Sequence, residues 1–304
     1  MSTPIDLTGR VAVVTGSGRG LGRSYAVALA AAGAAVVVND VDAEAAEETA
    51  ELVRSAGGRV VVVVAPVGSA ETAELLVSTA VSEFGRLDAM VANAGVLRDR
   101  VMWKTSDDDF DIVVQTHLRG AFTCGRAAAI HFREAGEAGR IILIGSPAGQ
   151  HGSFGQTAYS ASKAGIVAMA RTWSMELARA EVTVNAVIPT AMTAMVATMP
   201  IYAEVYEKFL AGEPLPPVVR RDHALGSPDD VAPLVVWLAS ADSAGVTGQA
   251  IGLGGDRLTV YSHPAVLETR DADGGWTAEA IRDRWASELN AFAQPSGATF
   301  APLD

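Results

Sequence analysis

A glycine-rich turn between an apolar run and a helix constrains the fold of this chain more than any other stretch. The run from Arg10 to Thr15 predicts a short buried strand, and Ala-rich sequence at helical spacing follows as far as Gly33. Between them lies Gly16-Ser-Gly-Arg-Gly-Leu-Gly22. Strand, glycine loop and helix in that order predict a Rossmann-type unit whose loop binds the pyrophosphate of a dinucleotide.

The three glycines of this motif are expected to have separate roles. Gly16 allows the tight turn, Gly20 lets the backbone approach the pyrophosphate, and Gly22 allows close packing of the helix. The loop also carries three other residues that we expect to contact the cofactor: Ser17, Arg19 and Leu21.

The end of the second predicted strand indicates which dinucleotide is bound. The apolar run from Ala34 to Asn39 ends in Asp40, whose carboxylate can accept hydrogen bonds from ribose hydroxyls and would repel a 2′-phosphate. Asp40 therefore predicts NAD, with NADP the less favoured cofactor. Arg19 is an opposing signal because its guanidinium could pair with a 2′-phosphate, although it could equally cover the adenine or lie in solvent.

Strand and helix patterns alternate along most of the chain. Helices are predicted at about 43–56, 70–84, 106–135 and 156–177 and from about Asp229, and strands at 59–65, 87–92, 141–144, 182–188 and 249–253. This alternation predicts an α/β fold, a doubly wound parallel sheet with helices on both faces and ligands at the carboxyl ends of its strands. We expect one domain over 1–255, with a substrate lid at about 191–224 and a helical extension over 256–304.

Composition excludes several classes of function. A net charge of −12 argues against a nucleic-acid partner, and no apolar run is long enough to span a membrane. The single cysteine, Cys124, excludes an internal disulfide and a paired-cysteine metal site, and the five His lack metal-ligand spacing. We expect a cytoplasmic protein with no metal.

A serine, a tyrosine and a lysine near the middle of the chain indicate catalysis. The run from Ile141 to Ile144 predicts a buried strand, so Ser146 stands where that strand ends. From about Gln156 a helical pattern places Tyr159 and Lys163 on one face. The ammonium of Lys163 is expected to lower the pKa of Tyr159. Ser146 could then hydrogen-bond a substrate oxygen while Tyr159 exchanges its proton.

The alternative is that Tyr159 and Lys163 form an ordinary pair on a helix surface. Twenty of the 23 basic residues are Arg, so the chain hardly uses Lys for solubility, yet one Lys lies in this small, apolar segment. A compact ammonium on a flexible stem suits a site that needs a point charge. We therefore favour the catalytic interpretation.

Two further stretches follow the predicted fourth strand. Asn93-Ala94-Gly95 is small enough for a cofactor to approach, although such a sequence also forms simple turns. The segment Leu97 to Trp103 combines charge with apolar bulk, and we expect it to line the substrate entrance. His117 lies on the helix beyond, where a lone His is usually structural.

With these motifs in order, residues 5–255 resemble the short-chain dehydrogenase/reductase family. The resemblance implies that Ser146 orients the reacting oxygen, that Tyr159 is the general acid/base, and that Lys163 binds the nicotinamide ribose and lowers the pKa of Tyr159. It also places Asn93-Ala94-Gly95 and Thr193 at the cofactor. Dimers or tetramers are common in this family, through the helices that lie here at about 107–135 and 156–179.

The chain departs from the family pattern at three positions. His117 stands where the family usually has an Asn, so the water that this Asn holds for proton relay is either lost or held by the imidazole. Pro66 replaces the Asp that contacts adenine, which leaves the backbone amide of Val67 as the remaining contact. Pro189-Thr190 replaces the usual Pro-Gly beside the carboxamide, where Pro189 is still expected at the cofactor.

Several stretches are similar to one subgroup of this family, the (3R)-hydroxyacyl-CoA dehydrogenase regions of peroxisomal multifunctional enzymes of type 2. They include Gly95-Val-Leu-Arg-Asp-Arg100, His117-Leu-Arg-Gly120 and the tail from Trp276 to Phe292. The resemblance implies oxidation of a 3-hydroxyacyl-CoA, or of a similar alcohol on a steroid or other bulky chain. The alternatives are a 3-oxoacyl-carrier-protein or other ketone reductase and a nucleotide-binding sensor without turnover. We expect a small-molecule substrate, an acyl-CoA thioester, and a homodimer or homotetramer.

Overall fold

The computed structural model describes residues 3–193, 196 and 200–297. Its centre is one eight-stranded sheet with the strand order β3-β2-β1-β4-β5-β6-β7-β8. The strands are β1 (Val11–Thr15), β2 (Ala35–Asp40), β3 (Val60–Val64), β4 (Ala89–Ala92), β5 (Arg140–Ile144), β6 (Thr183–Pro189), β7 (Ala250–Gly254) and β8 (Arg257–Tyr261).

The α-helices connect these strands and cover both faces of the sheet. They are α1 (Gly20–Ala31), α2 (Ala43–Ser55), α3 (Ala70–Phe84), α4 (Asp107–Val114), α5 (Gly120–Ala135), α6 (Ala148–His151), α7 (Thr157–Glu176), α8 (Pro200–Leu210), α9 (Pro217–Arg221), α10 (Pro228–Ala239) and α11 (Ala278–Ser287). Several helices begin at a side chain that accepts a backbone N–H, among them Ser69 before α3 and Ser106 before α4. Such caps satisfy donors that the first helical turn leaves free.

The predicted doubly wound sheet is confirmed, and its strand order places the site. The chain builds outward from β1 to β3 and then returns to β4, which pairs with the other side of β1. All pairs from β3 to β7 are parallel. The order therefore reverses between β1 and β4, and a ligand crevice forms outside the carboxyl ends of strands at such a switch point.

Two hydrophobic cores hold the helices against the sheet. Alternate residues of β1 point to opposite faces, so Val11 and Val13 enter one core while Ala12 and Val14 enter the other. Burying one such valine contributes about 1.5–3 kcal/mol relative to leaving it exposed. The nearly continuous apolar strands of the sequence result from this burial on both faces.

The structure differs from the sequence-based prediction in two elements. The single helix expected over 106–135 is divided by a π-helical turn, Gln115–Arg119, between α4 and α5. The sheet does not finish at the seventh strand, because β8 pairs with it in antiparallel orientation. The first residues of the predicted extension thus belong to the sheet of the main domain. Arg257 to Tyr261 was missed because its exposed, mixed sequence lacks the apolar pattern of the parallel strands.

The predicted lid region contains α8, α9 and a small apolar cluster of its own. This cluster consists of Met192, Tyr202, Leu215, Val219 and Leu225. The side chain of Arg220 bridges Asp230, which caps α10, and Asp256, in the turn before β8. These ion pairs attach α9 firmly to the main sheet. Residues 194, 195 and 197–199 of the predicted lid lie outside the described residues.

Beyond β8 the chain forms an extension whose main element is α11. Large apolar side chains of this extension are exposed, including Trp276, Ile281 and Trp285. Near its end, the backbone N–H of Gly297 donates to the carbonyl of His151, 2.8 Å away, beside the loop that follows Ser146. Within the described part of the chain, no helix is long and apolar enough to cross a membrane.

Candidate active site

The glycine loop is held at the carboxyl ends of β1 and β4 by Asn93. Its side-chain amide donates to the carbonyls of Thr15 and Gly16, both at 2.9 Å. The hydroxyl of Thr15 in turn accepts the backbone N–H groups of Asn93 and Ala94 at 3.0 and 3.1 Å. The predicted Asn93-Ala94-Gly95 turn is thus joined directly to the predicted dinucleotide loop.

Close approach of the backbone requires glycine at two positions of this loop. A Cβ on Gly16 would lie 2.6 Å from Cα of Ala94, and one on Gly22 would lie 2.1 Å from the carbonyl oxygen of Gly16. Gly20 opens α1 with a φ of +54°, and the space around it is free of protein atoms. An open glycine at a helix amino terminus suits a phosphate, since backbone N–H groups and the helix dipole point toward it.

The carboxylate of Asp40 stands beside the loop, as the sequence predicts. It accepts the backbone N–H of Gly18 at 2.9 Å and that of Asp42 at 3.1 Å. Arg19 extends its exposed guanidinium to the side chain of Asp42. Arg19, the residue of the loop that could favour NADP, is therefore paired with a carboxylate of this chain.

The other predicted residues of the loop face inward. The hydroxyl of Ser17 is fully buried and donates to the carbonyl of Val14 at 2.8 Å. Leu21 packs partly against the core below the sheet. Their backbones follow the loop, but these two side chains support it from inside.

Ser146, Tyr159 and Lys163 meet where β5 ends and α7 begins. Ser146 acts on the hydroxyl of Tyr159 in the direction that lowers its pKa, and Oγ of Ser146 accepts the N–H of Ala148 at 3.2 Å. Nζ of Lys163 lies 5.6 Å from the ring centroid of Tyr159 and donates to the carbonyl of Ile144 at 2.6 Å. The predicted serine, tyrosine and lysine are brought together by one strand end and one helix face.

Burial changes the acid–base properties of this set. Burial raises the pKa of Tyr159 above its ordinary value, while the hydrogen bond from Ser146 acts in the opposite direction. Burial also lowers the pKa of Lys163 to about 7, because a buried ammonium loses its hydration. The net direction for Tyr159 is thus set by burial, and the expected lowering of its pKa by Lys163 stays a prediction. A lysine that is only partly charged at neutral pH exerts a weaker field than a full ammonium.

His117 lies inside the π-helical turn and faces the same tyrosine. Its Nε2 is 2.8 Å from the carbonyl oxygen and 3.0 Å from the backbone nitrogen of Val96, whereas Nδ1 is buried without a partner among the described residues. Burial, aided by the charge of Lys163, lowers the pKa of His117 to about 3. The imidazole is therefore neutral at physiological pH.

The ring of His117 leaves no room for a side chain at Gly95. A Cβ at Gly95 would lie 2.2 Å from Cε1 of His117, closer than real Cβ contacts permit. The Asn93-Ala94-Gly95 turn consequently packs on the histidine ring as well as on the glycine loop. The sequence alone did not connect Gly95 with His117, because they lie on different elements.

The remaining predicted cofactor residues lie at the end of a strand or in the segment that follows one. Val67, after β3, is half-buried and packs against Gly120, where an added Cβ would lie 2.8 Å from its Cγ2. Pro189 ends β6, and the next residue, Thr190, donates its N–H to Leu253 at 3.1 Å. Thr193 follows this strand end and is half-buried.

The structure adds two residues that sequence reasoning did not single out. The side-chain amide of Gln156 donates to the carboxylate of Asp99 at 2.8 Å. The neighbouring backbone N–H of Arg100 donates to the carbonyl of Gly155 at 2.8 Å. These contacts join segments more than fifty residues apart, so no local pattern could have indicated them.

Metal chemistry has no assembled ligand set in the described residues. No group of three or more His, Cys, Asp or Glu side chains is arranged there to hold a metal ion. Cys124 is a buried thiol whose pKa is raised to about 12 by burial. Such a thiol is inert at neutral pH.

A dinucleotide cradle beside a buried serine, a half-buried tyrosine and a buried lysine defines a nicotinamide-dependent oxidoreductase. The family model described as short chain dehydrogenase matches residues 10–201. The chain belongs to this family, and it is an oxidoreductase that acts on CH–OH groups.

Curated relatives and a solved structure agree with this assignment. The chain is 36% identical to the mouse peroxisomal multifunctional enzyme type 2 over 94% of its own length and 37% of that enzyme. It is 39% identical to hydroxyacyl-CoA dehydrogenase ChsB1 of Mycobacterium tuberculosis, covering 88% of this chain and 84% of that protein. A crystal structure of a short chain dehydrogenase from Mycobacterium avium matches with a TM-score of 0.83 and 36% identity, over 99% of this chain and all of the other. The chain thus spans little more than a third of the mouse enzyme.

Proposed function

We propose that this protein is an NAD-dependent dehydrogenase that oxidises the secondary alcohol of a (3R)-3-hydroxyacyl-CoA, or of a steroid-like hydroxy substrate, to a ketone. The observation that carries the proposal is that Lys163 lies 5.6 Å from the ring centre of Tyr159 while Ser146 follows the end of the neighbouring strand, at the carboxyl edge of the sheet. That edge is also where the glycine loop opens.

The proton of the substrate hydroxyl is assigned to Tyr159. Ser146 orients the reacting oxygen through a hydrogen bond, and Tyr159 accepts the hydroxyl proton as the carbonyl forms. A nicotinamide bound in this cradle would supply the acceptor for the hydride of the carbinol carbon. The proton and the hydride together account for the two hydrogens that leave the alcohol.

Lys163 has two contributions in this scheme. Its hydrogen bond to Ile144 holds Nζ 5.6 Å from the centre of the tyrosine ring, and we assign this nitrogen to the nicotinamide ribose. With a pKa of about 7, it can also release or take up a proton near neutral pH. A positive charge on the oxidised nicotinamide would further favour the phenolate of Tyr159, in the manner of any nearby cation.

The preference for NAD rests on Asp40. Its carboxylate lies at the end of β2 beside the loop, where it can accept ribose hydroxyls in addition to the N–H of Gly18. Arg19 is engaged by Asp42, so the loop offers a 2′-phosphate no free guanidinium from this residue. Two carboxylates in this corner would repel the added phosphate of NADP. The position of these carboxylates supports NAD as the cofactor.

The choice of a hydroxyacyl-CoA substrate is supported by the relatives. The Mycobacterium tuberculosis relative is named a hydroxyacyl-CoA dehydrogenase, and it aligns with most of this chain. The lid predicted over 191–224 contains Met192 and Tyr202, and both are buried in an apolar cluster of the lid itself. The support for an acyl-CoA substrate therefore comes from the relatives.

We also propose that the protein is a homodimer or homotetramer. Large apolar side chains remain exposed on the two long helices α5 and α7, including Phe122, Ile130 and Met175. A second copy of this chain would remove them from water. Light scattering of the purified protein tests this, and a monomer at micromolar concentration would contradict it. The cytoplasmic location expected from the sequence stays a prediction.

The function is tested by NADH formation from defined 3-hydroxyacyl-CoA thioesters. The 3R and 3S epimers of short, medium and steroid-bearing thioesters are compared with NAD and with NADP as cofactor. Turnover confined to the 3R epimers with NAD is the expected result. If no thioester is oxidised and free secondary alcohols are, the acyl-CoA assignment is wrong, whereas the assignment of alcohol oxidation stands.

The reductase alternative predicts a different outcome in the same assay. A 3-oxoacyl-carrier-protein reductase would prefer NADP and consume NADPH with a 3-oxoacyl thioester. A nucleotide-binding sensor would bind NAD in calorimetry yet leave all these substrates unchanged. The presence of Ser146, Tyr159 and Lys163 in one assembled set favours turnover.

A further inference from the structure

The segment 97–101, which we call the entrance loop, is clipped to the chain just before α7. The backbone N–H of Arg100 donates to the carbonyl of Gly155, and the carboxylate of Asp99 accepts the side-chain amide of Gln156, both at 2.8 Å. Arg100 and Gln156 form an isolated parallel bridge at this point. One backbone bond and one side-chain bond therefore fix the same junction.

This junction is the first turn of the helix that carries Tyr159. Gln156 is the residue at which α7 begins, and its carbonyl accepts the N–H of Ser160 at 2.8 Å. Gly155 turns the chain into the helix with a φ of +76°, a conformation that favours glycine. Movement at Gln156 would consequently be transmitted to Tyr159, which lies three residues farther along the same turn.

Further contacts hold the entrance loop on both sides of its hydrogen bonds to Gly155 and Gln156. Before it, Val96 contacts His117 through its backbone. Within it, the guanidinium groups of Arg98 and Arg100 approach the carboxylate of Asp109, at 3.6 and 3.3 Å. Both cations are thus drawn toward α4.

Asp99 is left with a neutral partner by this arrangement. Across the described residues, its carboxylate takes part in none of the ion pairs, and its hydrogen bond is to the uncharged amide of Gln156. Its negative charge is therefore not compensated by either neighbouring arginine. A full charge at this place acts on the groups nearest to it.

We propose that Asp99 is a positioning residue for the reaction: through Gln156 it holds the first turn of α7 against the entrance loop, and it places a negative charge on the Tyr159 side of that loop. The inference rests on the proposed role of Tyr159 as the proton acceptor. It assigns Asp99 no contact with the substrate.

The charge of Asp99 acts on Tyr159 together with the other groups that face the phenol. Asp99 raises the pKa of Tyr159, and burial does so more strongly, whereas the hydrogen bond from Ser146 lowers it. The remaining titratable groups around the ring are Lys163 and His117. Without the charge of Asp99, the phenolate forms at lower pH, so oxidation of the alcohol should begin at lower pH.

Substitutions can separate the charge of Asp99 from its hydrogen bond. Asp99→Asn removes the charge, while its amide oxygen can still accept from Gln156. Gln156→Met removes the donor at similar length, and α7 loses no cap because the Gln156 side chain makes no capping bond. The matched control is Asp107→Asn, the same change at an exposed position on α4.

The readout is the pH dependence of kcat and KM for alcohol oxidation in these variants and in the double variant. In Asp99→Asn we expect kcat/KM to rise with pH at lower pH than in wild type, and its maximum to stay within about twofold of the wild-type value. In Asp107→Asn we expect the rise at the same pH as in wild type. Gln156→Met should lower kcat about tenfold with KM for NAD nearly unchanged, since the fault lies in orientation. The double variant should lose about as much kcat as Gln156→Met alone, because Asp99→Asn removes only the charge and Gln156→Met removes the contact.

Two results would overturn the inference. One is a rise of kcat/KM at the same pH in Asp99→Asn as in wild type, and the other is a wild-type kcat in Gln156→Met. Tyr159→Phe separates this from a failure of the proposed function: if that variant still turns over, the role of Tyr159 is wrong. If it is inactive while Asp99→Asn shows no shift, only the role of Asp99 fails. An ultraviolet titration of Tyr159, taken as the difference between each protein and its Tyr159→Phe form, reads the same shift without turnover.

Discussion

The imidazole of His117 meets the ring of Tyr159 edge-on, with the ring centroids 5.1 Å apart and the planes at 85°. The same imidazole contacts the backbone of Val96 through Nε2. It thus lies between the turn that follows β4 and the tyrosine at the site. A neutral ring in this place supports the tyrosine without adding charge to it.

The burial of His117 predicts a specific dependence of stability on pH. Its pKa is about 3 in the folded protein and near 6.5 when unfolded, so between these values only the unfolded chain binds the proton. The free energy of unfolding therefore falls as pH decreases from about 6.5, by about 1.4 kcal/mol for each pH unit from this group. Denaturant unfolding of wild type and His117→Asn between about pH 4 and pH 7 measures the difference.

The wild-type protein should lose stability more steeply than His117→Asn in that window. His151→Asn, a change at an exposed histidine, is the control and should follow the wild-type curve. Parallel curves for wild type and His117→Asn would mean that the buried imidazole accepts a proton in the folded protein.

Replacing Tyr159 by Phe is expected to abolish turnover and preserve NAD binding. The ring would still pack beside His117, but the hydroxyl that bonds to Ser146 would be gone. We expect kcat to fall at least about a hundredfold, the contribution typical of a positioned acid or base. Substantial residual turnover, with NAD affinity unchanged, would show that another group accepts the proton.

Tyr25→Phe is the control for that experiment. The hydroxyl of Tyr25 is buried in the core without a hydrogen-bond partner among the described residues. Removing it should leave kcat unchanged, and stability should stay level or rise by about 1 kcal/mol, because a buried unsatisfied hydroxyl costs free energy.

Replacing Asp40 by Ala should narrow the preference for NAD over NADP. The carboxylate that would repel a 2′-phosphate is lost, together with the acceptor for the N–H of Gly18. The measurement is the ratio of kcat/KM for the two cofactors, which we expect to change by about tenfold or more. Asp273→Ala, in the exposed extension, should leave the ratio at its wild-type value. An unchanged ratio in Asp40→Ala would refute the assignment of this carboxylate to the ribose.

Replacing Gly22 by Ala should weaken binding of the dinucleotide. The added Cβ would lie 2.1 Å from the carbonyl oxygen of Gly16, which forces the loop away from α1. Calorimetric titration with NADH should give a Kd raised about tenfold or more. The control is Gly245→Ala, where the added Cβ meets no atom within 4 Å, and its Kd should match wild type. Equal affinities in both variants would show that the loop does not need the close packing of Gly22.

Much of the fold was evident in the sequence because its signals are local. A strand buried on both faces must be almost wholly apolar, and a helix must show its apolar face every three to four residues. The strands β1, β2 and β3 and the helices α1, α2 and α3 lie close to their predicted ranges for this reason. By contrast, β8 is an edge strand with exposed side chains, so its sequence carries no such pattern.

The candidate site likewise has parts that local sequence patterns indicate and parts that they do not. The serine, tyrosine and lysine could be found because their spacing follows from one strand end and one helix, and the glycine loop because its backbone geometry demands particular residues. The contact of Gly95 with His117 and the clip between Asp99 and Gln156 could not be found, since each joins separate elements.

Local patterns were enough to predict the parallel sheet, the dinucleotide loop and the residues gathered at its edge. The protonation of these residues could not be predicted in the same way, because burial depends on everything packed around a group. Burial lowers the pKa of Lys163 to about 7 and that of His117 to about 3, and it raises the pKa of Tyr159. Spacing along a helix reports which groups are neighbours, but the cost of removing a charge from water is set by the whole fold.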